Sequence, residues 1–310
     1  MSQKIKAFAP ASIGNVSCGF DVLGLAVQQP GDEVEITLND SKKITIERIV
    51  GDGGRLPLET EKNTAGVAVI EFLKSIGQAQ GASIVLHKNL PLGSGMGSSA
   101  ASAVAAVVAI NELMGLPLAK KELLPFAMEA ERVACGSAHA DNAAPSLLGG
   151  LILIRDNHPL DIIEIPTPRE LFSVLVHPHI EVKTRDARSV LKQTISLNDG
   201  ITQWANTAAL VAGMMKEDYE LIGRSLVDVV AEPLRADLIP GFRAIKSIAL
   251  KNGALGCGIS GSGPTVFCLC HGRGNAARAG KAMQQEFLTM KLESEVFVSE
   301  INRQGAYTIH

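Results

Sequence analysis

The chain has 310 residues, 46% hydrophobic and 20% charged, with a net charge of −3. That length suggests two domains or one large one, with enough apolar content for a sizeable core. Aromatic residues make up only 4% and no basic tract stands out, which argues against a nucleic-acid partner. The first residues, M-S-Q-K-I-K-A-F-A-P, lack the apolar core of a signal peptide, and the longest apolar run, around Ala100 to Ile110, is too short to span a bilayer. A cytoplasmic protein without membrane contact is expected. Its five cysteines (Cys18, Cys135, Cys257, Cys268 and Cys270) form no C-x-x-C pair and fit reduced thiols rather than a zinc site.

Taken in order, Lys4 to Phe8 is a strand candidate that leads into a loop of small and polar residues, Ala9 to Gly24. Asp32 to Leu38 and Lys42 to Ile46 alternate apolar and polar residues, as half-buried strands do. Asn63 is placed to cap a helix over Thr64 to Ser75, and Ala82 to His87 reads as a strand. The Ala/Val run from Ala100 to Met114 is a helix, apolar nearly all round and therefore buried between layers. A helix over Ala119 to Val133 and a strand over Gly149 to Arg155 follow. Prolines then cluster at Pro159, Pro166 and Pro168, which places a domain boundary there and divides the chain into residues 1–160 and 161–310. The second half reads as a strand (Leu171 to His177), helices near Ala187–Lys192, Asp199–Met215, Asp218–Val229 and Phe242–Lys251, and a glycine loop from Gly256 to Thr265. A strand (Val266 to Cys270), a helix (Ala276 to Leu288) and a strand (Glu295 to Ser299) complete it.

The stretch P-L-G-S-G-M-G-S-S-A-A-S, Pro91 to Ser102, carries the first chemical signal. Glycines at alternate positions let the backbone turn tightly and bring its N–H groups close to a ligand. Ser98 or Ser99 is positioned to cap the helix that follows, and free N–H groups and the helix dipole make such a terminus an anion site. Phosphate is the natural anion. The loop is not a P-loop, since no lysine follows Gly97, nor a dinucleotide fingerprint, whose spacing differs. Two further segments, Ala9–Gly24 and Gly256–Thr265, are comparably rich in glycine and serine, which suggests one shared cleft.

Together the three segments resemble the three motifs of the GHMP kinases, the galacto-, homoserine, mevalonate and phosphomevalonate kinases. P-L-G-S-G-M-G-S-S-A-A is similar to the family's nucleotide loop P-x-x-x-G-L-G-S-S-A-A, with Met96 for the usual leucine. The runs P-A-S-I-G-N-V-S-C-G-F-D from Pro10, S-A-H-A-D-N from Ser137, T-R-D-A-R from Thr184 and R-A-D-L-I-P-G-F from Arg235 resemble the branch whose acceptor is L-homoserine. Val16-Ser17 departs from the family's usual Leu-Gly.

The resemblance implies an α+β, two-domain GHMP kinase fold: an N-terminal ATP-binding half like domain 2 of ribosomal protein S5 and a ferredoxin-like C-terminal half, with the active site between them. It implies ATP and Mg²⁺, a homodimer, and these roles. Pro91, Leu92, Gly93, Ser94, Gly95, Met96, Gly97, Ser98, Ser99, Ala100 and Ala101 form the nucleotide loop, Asn63 meets the adenine, and Ser99 and Glu131 hold the metal. Gly258 to Gly263 brace the nucleotide loop. Asn142 and His139 orient the acceptor hydroxyl. Asn142 stands where mevalonate and galactose kinases have an aspartate base, and an amide cannot take a proton at neutral pH. Asp141 is adjacent, but neighbouring residues are expected to point different ways. Asn15, Asp21, Thr184, Arg188 and Arg235 complete the acceptor site, with Asp21 suited to an ammonium and the two arginines to a carboxylate. Alternatives are a kinase for another small alcohol, a silent nucleotide-binding relative and a decarboxylase of the same fold.

Overall fold

A seven-stranded sheet and a four-stranded sheet organise the chain. The computed structural model describes residues 3–136 and 140–309. Strand β1 (Lys4–Gly14) runs well past Phe8 into the segment read as a loop, because Ala7, Ala9, Ala11 and Ile13 continue the alternation inward as far as the Gly14 turn. It pairs antiparallel with β2 (Leu23–Asn39), with a register shift between Pro10 and Ser12. β3 (Ile44–Val50), α1 (Thr64–Ser75) and β4 (Gly81–His87) follow, and β3 and β4 pair in parallel. α1 keeps its predicted bounds because Asn63 accepts a hydrogen bond from the Ala65 N–H.

α2 (Ser98–Leu113) is the central helix. Ala100, Ala101, Ala103, Ala105, Ala106 and Ala109 are all fully buried, and these small side chains let it lie close against β1, β2 and α1. α3 (Leu124–Cys135) and α4 (Ala140–Leu148) pack beside it. The sheet then gains the hairpin β5 (Leu151–Asn157) and β6 (Leu160–Ile165), the latter lying within the proline cluster.

The second sheet has β7 (Leu171–Pro178) near its centre. Helices α5 (Thr184–Ser189), α6 (Leu197–Lys216), α7 (Tyr219–Ser225), α8 (Glu232–Arg235) and α9 (Phe242–Lys251) separate it from β8 (Ala254–Ile259). Gly256 to Ile259, read above as loop, thus form the strand that enters the turn; Cys257 and Ile259 are buried, which stabilises extended backbone there despite the glycines. β9 (Val266–His271), α10 (Arg273–Thr289) and β10 (Ser294–Glu300) follow. The strand order β10-β7-β9-β8, all antiparallel, is the ferredoxin-like arrangement. Side chains alternate along β7: Phe172, Val174 and Val176 pack under α9 and α10, whereas Leu171 and Leu175 join the core of the first sheet. Cys268 and Cys270 share one buried face, with sulfurs 3.9 Å apart.

The halves are tied together by backbone. The chain returns from β10 through an Ile301–Val27 bridge, and β11 (Tyr307–Ile309) adds to the first sheet beside β1. The α4 first turn lies so close to β2 that a methyl group at Gly24 would overlap the Asp141 carbonyl oxygen. Gly24→Ala is therefore expected to destabilise the fold by about 1–3 kcal/mol through overpacking. Denaturant unfolding checks this, and unchanged stability would show that α4 moves away freely.

Candidate active site

The three glycine-containing segments converge on one cleft of about 690 Å³. Asn15 and Asp21 line it from the first segment, Leu92 to Gly95 and Gly97 to Ser99 from the second, and Gly261 and Ser262 from the third. Gly93, Gly95 and Gly97 have φ of 63°, 77° and 67°, the left-handed region that a side chain would strain. Gly97 is the N-cap of α2, so the expected serine cap is not used: Ser98 and Ser99 are the first helical residues. A left-handed glycine turns the chain into the helix more sharply than a capping serine and leaves both hydroxyls available for other partners. The N–H groups of this first turn have no helical carbonyl to reach, so the dipole and the open donors face the cleft.

The third segment braces the loop. The Ser260 hydroxyl donates to the Gly95 carbonyl (2.8 Å) and the Thr265 N–H to the Ser94 carbonyl (3.1 Å). From the first segment, the Ser12 N–H donates to the Met96 carbonyl at 3.1 Å. Pro91, Met96, Ala100 and Ala101 stand behind the lining; the Met96, Ala100 and Ala101 side chains are buried in the core. Asn63 lines the cleft while both ends of its amide hold backbone, accepting from Ala65 N (3.0 Å) and donating to the Pro57 carbonyl (3.1 Å).

Beneath the loop lies a lysine that the sequence reading missed. Lys88 is buried, ion-paired with fully buried Asp32, and its ammonium donates to the Ser98 carbonyl (2.8 Å), the Ser98 hydroxyl (2.6 Å) and the Ser102 hydroxyl (2.9 Å). Asp32 also accepts from the backbone N–H groups of Asn89 (2.9 Å) and Leu90 (3.0 Å). Lys88 is also among the residues that line the cleft. A charge closing the buried strand that feeds a phosphate loop was the available signal.

Glu131 turns inward from α3 and is buried, although a glutamate near the end of an amphipathic helix is usually solvated. Burial pushes its carboxyl up to about 7, opposed by a hydrogen bond from Ser99 and by the Lys88 charge. Its Oε1 has no hydrogen-bond partner. A buried carboxylate oxygen left open beside a serine hydroxyl, facing an anion loop, is the donor set a magnesium–phosphate complex needs.

Asn142 and Asp141 both line the cleft, which corrects the expectation that they diverge. They lie in the first turn of α4, where successive residues are only about 100° apart around the axis, so both can line one opening. The Asn142 Oδ1 accepts from the Ser12 hydroxyl at 3.0 Å, and a methyl group at Gly97 would lie 3.1 Å from that Oδ1, so Asn142 abuts the glycine loop. Asp141 is buried and accepts from the Asn15 N–H at 3.2 Å. Burial, then the negative charge of Asp21, push its carboxyl up to about 7, while the Asn15 bond and Arg188 pull it down. His139 lies outside the described residues.

The Asn15 end of the cleft is built on strained backbone. Asn15, Val16 and Ser17 have φ of 69°, 43° and 62° in succession. A position at 62° suits glycine, which accounts for the family's usual residue where this chain has Ser17. The Asn15 side chain locks the turn, accepting from the Asp21 N–H (2.9 Å) and donating to the Gly261 carbonyl (3.0 Å). Asp21 is not left open: both of its oxygens pair with Arg188, at 2.9 and 3.1 Å. Buried Arg235 donates to the carbonyls of Ala187 and Gly261, each at 3.0 Å. The two guanidinium groups stand 5.8 and 5.1 Å from the Phe20 ring centroid. Thr184 lines the same end, its hydroxyl 3.4 Å from that of Ser262.

Known proteins match this chain along its length. The GHMP kinases N terminal domain matches residues 63–150 and the GHMP kinases C terminal family residues 208–288. The homoserine kinase of Chlorobaculum tepidum is 56% identical, covering 98% of each chain. A crystal structure of homoserine kinase from Cytophaga hutchinsonii, 51% identical, superposes with a TM-score of 0.98 over 100% of this chain and 98% of that one. Mevalonate kinase of L. major, 16% identical with a TM-score of 0.74 over 97% of each chain, shares the fold.

The buried ion pair sets a stability expectation. Lys88→Met leaves Asp32 without its counter-ion and is expected to cost about 3–5 kcal/mol. Adding Asp32→Asn removes the stranded charge, so the double variant regains much of that loss. A double-mutant cycle by denaturant unfolding checks both; additive losses would contradict the pairing.

Proposed function

The chain belongs to the homoserine kinases, a branch of the GHMP kinase family, and we propose that it transfers the γ-phosphoryl group of ATP to the side-chain hydroxyl of L-homoserine. The products are ADP and O-phospho-L-homoserine, a step of threonine biosynthesis. The observation that carries the reading is the contact between the two ends of the cleft. Asn142, which holds the acceptor side, abuts Gly97, where the phosphate loop enters α2. An alcohol beside Asn142 therefore faces a triphosphate lying along Gly93 to Ser99.

The residues divide the work. The loop glycines and the first turn of α2 bind phosphate oxygens, and Lys88 fixes that turn from below. Glu131 and Ser99 are the residues that would hold Mg²⁺; bound there, it neutralises charge on the phosphate oxygens. Asn142 orients the hydroxyl but cannot take its proton, so deprotonation comes late and the proton passes to the transferring phosphate, as a loose transition state allows. Arg188 and Arg235 meet the carboxylate. A cytoplasmic homodimer belongs to the same reading. The four cysteines with described side chains are free and buried, which supports a reducing compartment, and among the described residues no helix is long and apolar enough to cross a membrane.

A coupled ADP-release assay on a panel of alcohols tests this. L-homoserine is expected to be phosphorylated, with mevalonate lower in kcat/KM by about tenfold or more, because it brings no ammonium to the acidic end of the cleft lined by Asp21 and Asp141. Preference for mevalonate would overturn the reading. Glu131→Ala is expected to keep the fold and lower kcat on the order of a hundredfold. Near-normal turnover in the folded variant would remove Glu131 from the metal site.

A further inference from the structure

A histidine closes the inward face of β7. Leu171, Ser173, Leu175 and His177 alternate with the residues that pack under α9 and α10, so the four share the face turned toward the first sheet. His177 is buried there, only 5% exposed, and it is not among the residues that line the cleft. Burial, then the charge of His179, push its imidazole down to about 4, so the ring is neutral at pH 7. A neutral ring in that position still needs a hydrogen-bond partner.

The partner is Thr265, with the His177 Nδ1 3.1 Å from its hydroxyl oxygen. Strand register explains why they meet. β7 and β9 pair antiparallel from Leu171–His271 to Val176–Val266, and the next facing residues are His177 and Thr265. The backbone ladder stops one step short of them, and the two side chains extend it. Thr265 is fully buried, and its backbone is committed to the brace behind the glycine loop. Its N–H donates to the Ser94 carbonyl at 3.1 Å, and its carbonyl accepts from the Ser260 N–H at 2.9 Å. The Ser260 hydroxyl in turn donates to the Gly95 carbonyl.

We propose that His177 is a positioning residue for the nucleotide loop. By holding the Thr265 hydroxyl it fixes the residue whose N–H grips the Ser94 carbonyl, and so keeps the loop in one arrangement for phosphate. This rests on the kinase reading above and concerns its nucleotide half alone. The acceptor side is held through Gly261 instead, which bonds to Gly14, Asn15 and Arg235. Loss of the His177 bond is therefore read at the nucleotide and not at the alcohol.

The test combines initial-rate kinetics on L-homoserine with calorimetric binding of Mg²⁺–ADP to the whole protein, and thermal unfolding is recorded for each variant. His177→Phe fills the space without a ring nitrogen, and Thr265→Val keeps the shape without the hydroxyl. Each is expected to raise KM for ATP and Kd for ADP about fivefold, with KM for L-homoserine unchanged. The double variant should be no worse than either single one, because both remove the same bond. His177→Asn, whose amide can stand where Nδ1 stood, should recover most of the loss. A role confined to stability would lower the unfolding temperature and move neither nucleotide constant, and that result overturns the proposal. So does a parallel rise in both KM values, additive losses in the double variant, or His177→Asn behaving like His177→Phe. Where His177→Phe does not fold, Thr265→Val reads the bond from its other end. A wild type that binds ADP but does not phosphorylate L-homoserine would overturn the kinase reading instead, and ADP binding by the variants would still judge His177.

Discussion

The ammonium of Lys88 is the fixed point of the cleft. It carries a full charge inside the protein and is matched by Asp32 and by three oxygens from Ser98 and Ser102, one turn apart at the start of α2. Isolated, either charge would be too costly to bury; together, with backbone N–H groups filling the rest of Asp32, they join β2, the end of β4 and the start of α2 at one point. The start of α2 and the glycine loop before it are thereby held in one arrangement. The bonds from Ser260, Thr265 and Ser12 act in the same direction, fixing the loop's carbonyls behind it. Preorganised donors of this kind lower a barrier more than donors that must first turn toward the substrate.

The Asn15 side of the cleft follows a second principle, stored strain. Asn15, Val16 and Ser17 sit at positive φ in succession, each at a cost on the order of 1 kcal/mol or more. The turn persists because Asn15 is tied at both ends of its side chain, and because its N–H meets Asp141. That conformation brings Asp21 to Arg188 and sets Phe20 against both arginines. Two carboxyls pushed up to about 7, Glu131 and Asp141, line the same opening, each destabilised as an anion by burial.

Local rules made much of this legible. α1 and α9 have the bounds expected from their patterns, Asn63 caps where expected, and the glycine loop does run into a buried helix. What the sequence hid depended on distance along the chain. Lys88 and Asp32 are 56 residues apart, and each alone reads as an ordinary surface charge. β6 was obscured by its flanking prolines, and β11 is too short to carry a pattern. The direction of Asp141 was misjudged because neighbours on a helix stand only about 100° apart, unlike the opposed neighbours of a strand, so both line the cleft. The Asp21–Arg188 pair joins residues 167 apart, and no motif spacing announces it.

The central claim is that one cleft holds the triphosphate against the acceptor hydroxyl across the Gly97–Asn142 contact. A crystal structure of the protein with a non-hydrolysable ATP analogue, Mg²⁺ and L-homoserine tests it most directly. The account predicts phosphates lying along Gly93 to Ser99, the metal between Ser99 and Glu131, and the side-chain hydroxyl beside Asn142 in line with the terminal phosphate. A triphosphate seated away from the α2 N-terminus, or a hydroxyl turned away from Asn142, would contradict it.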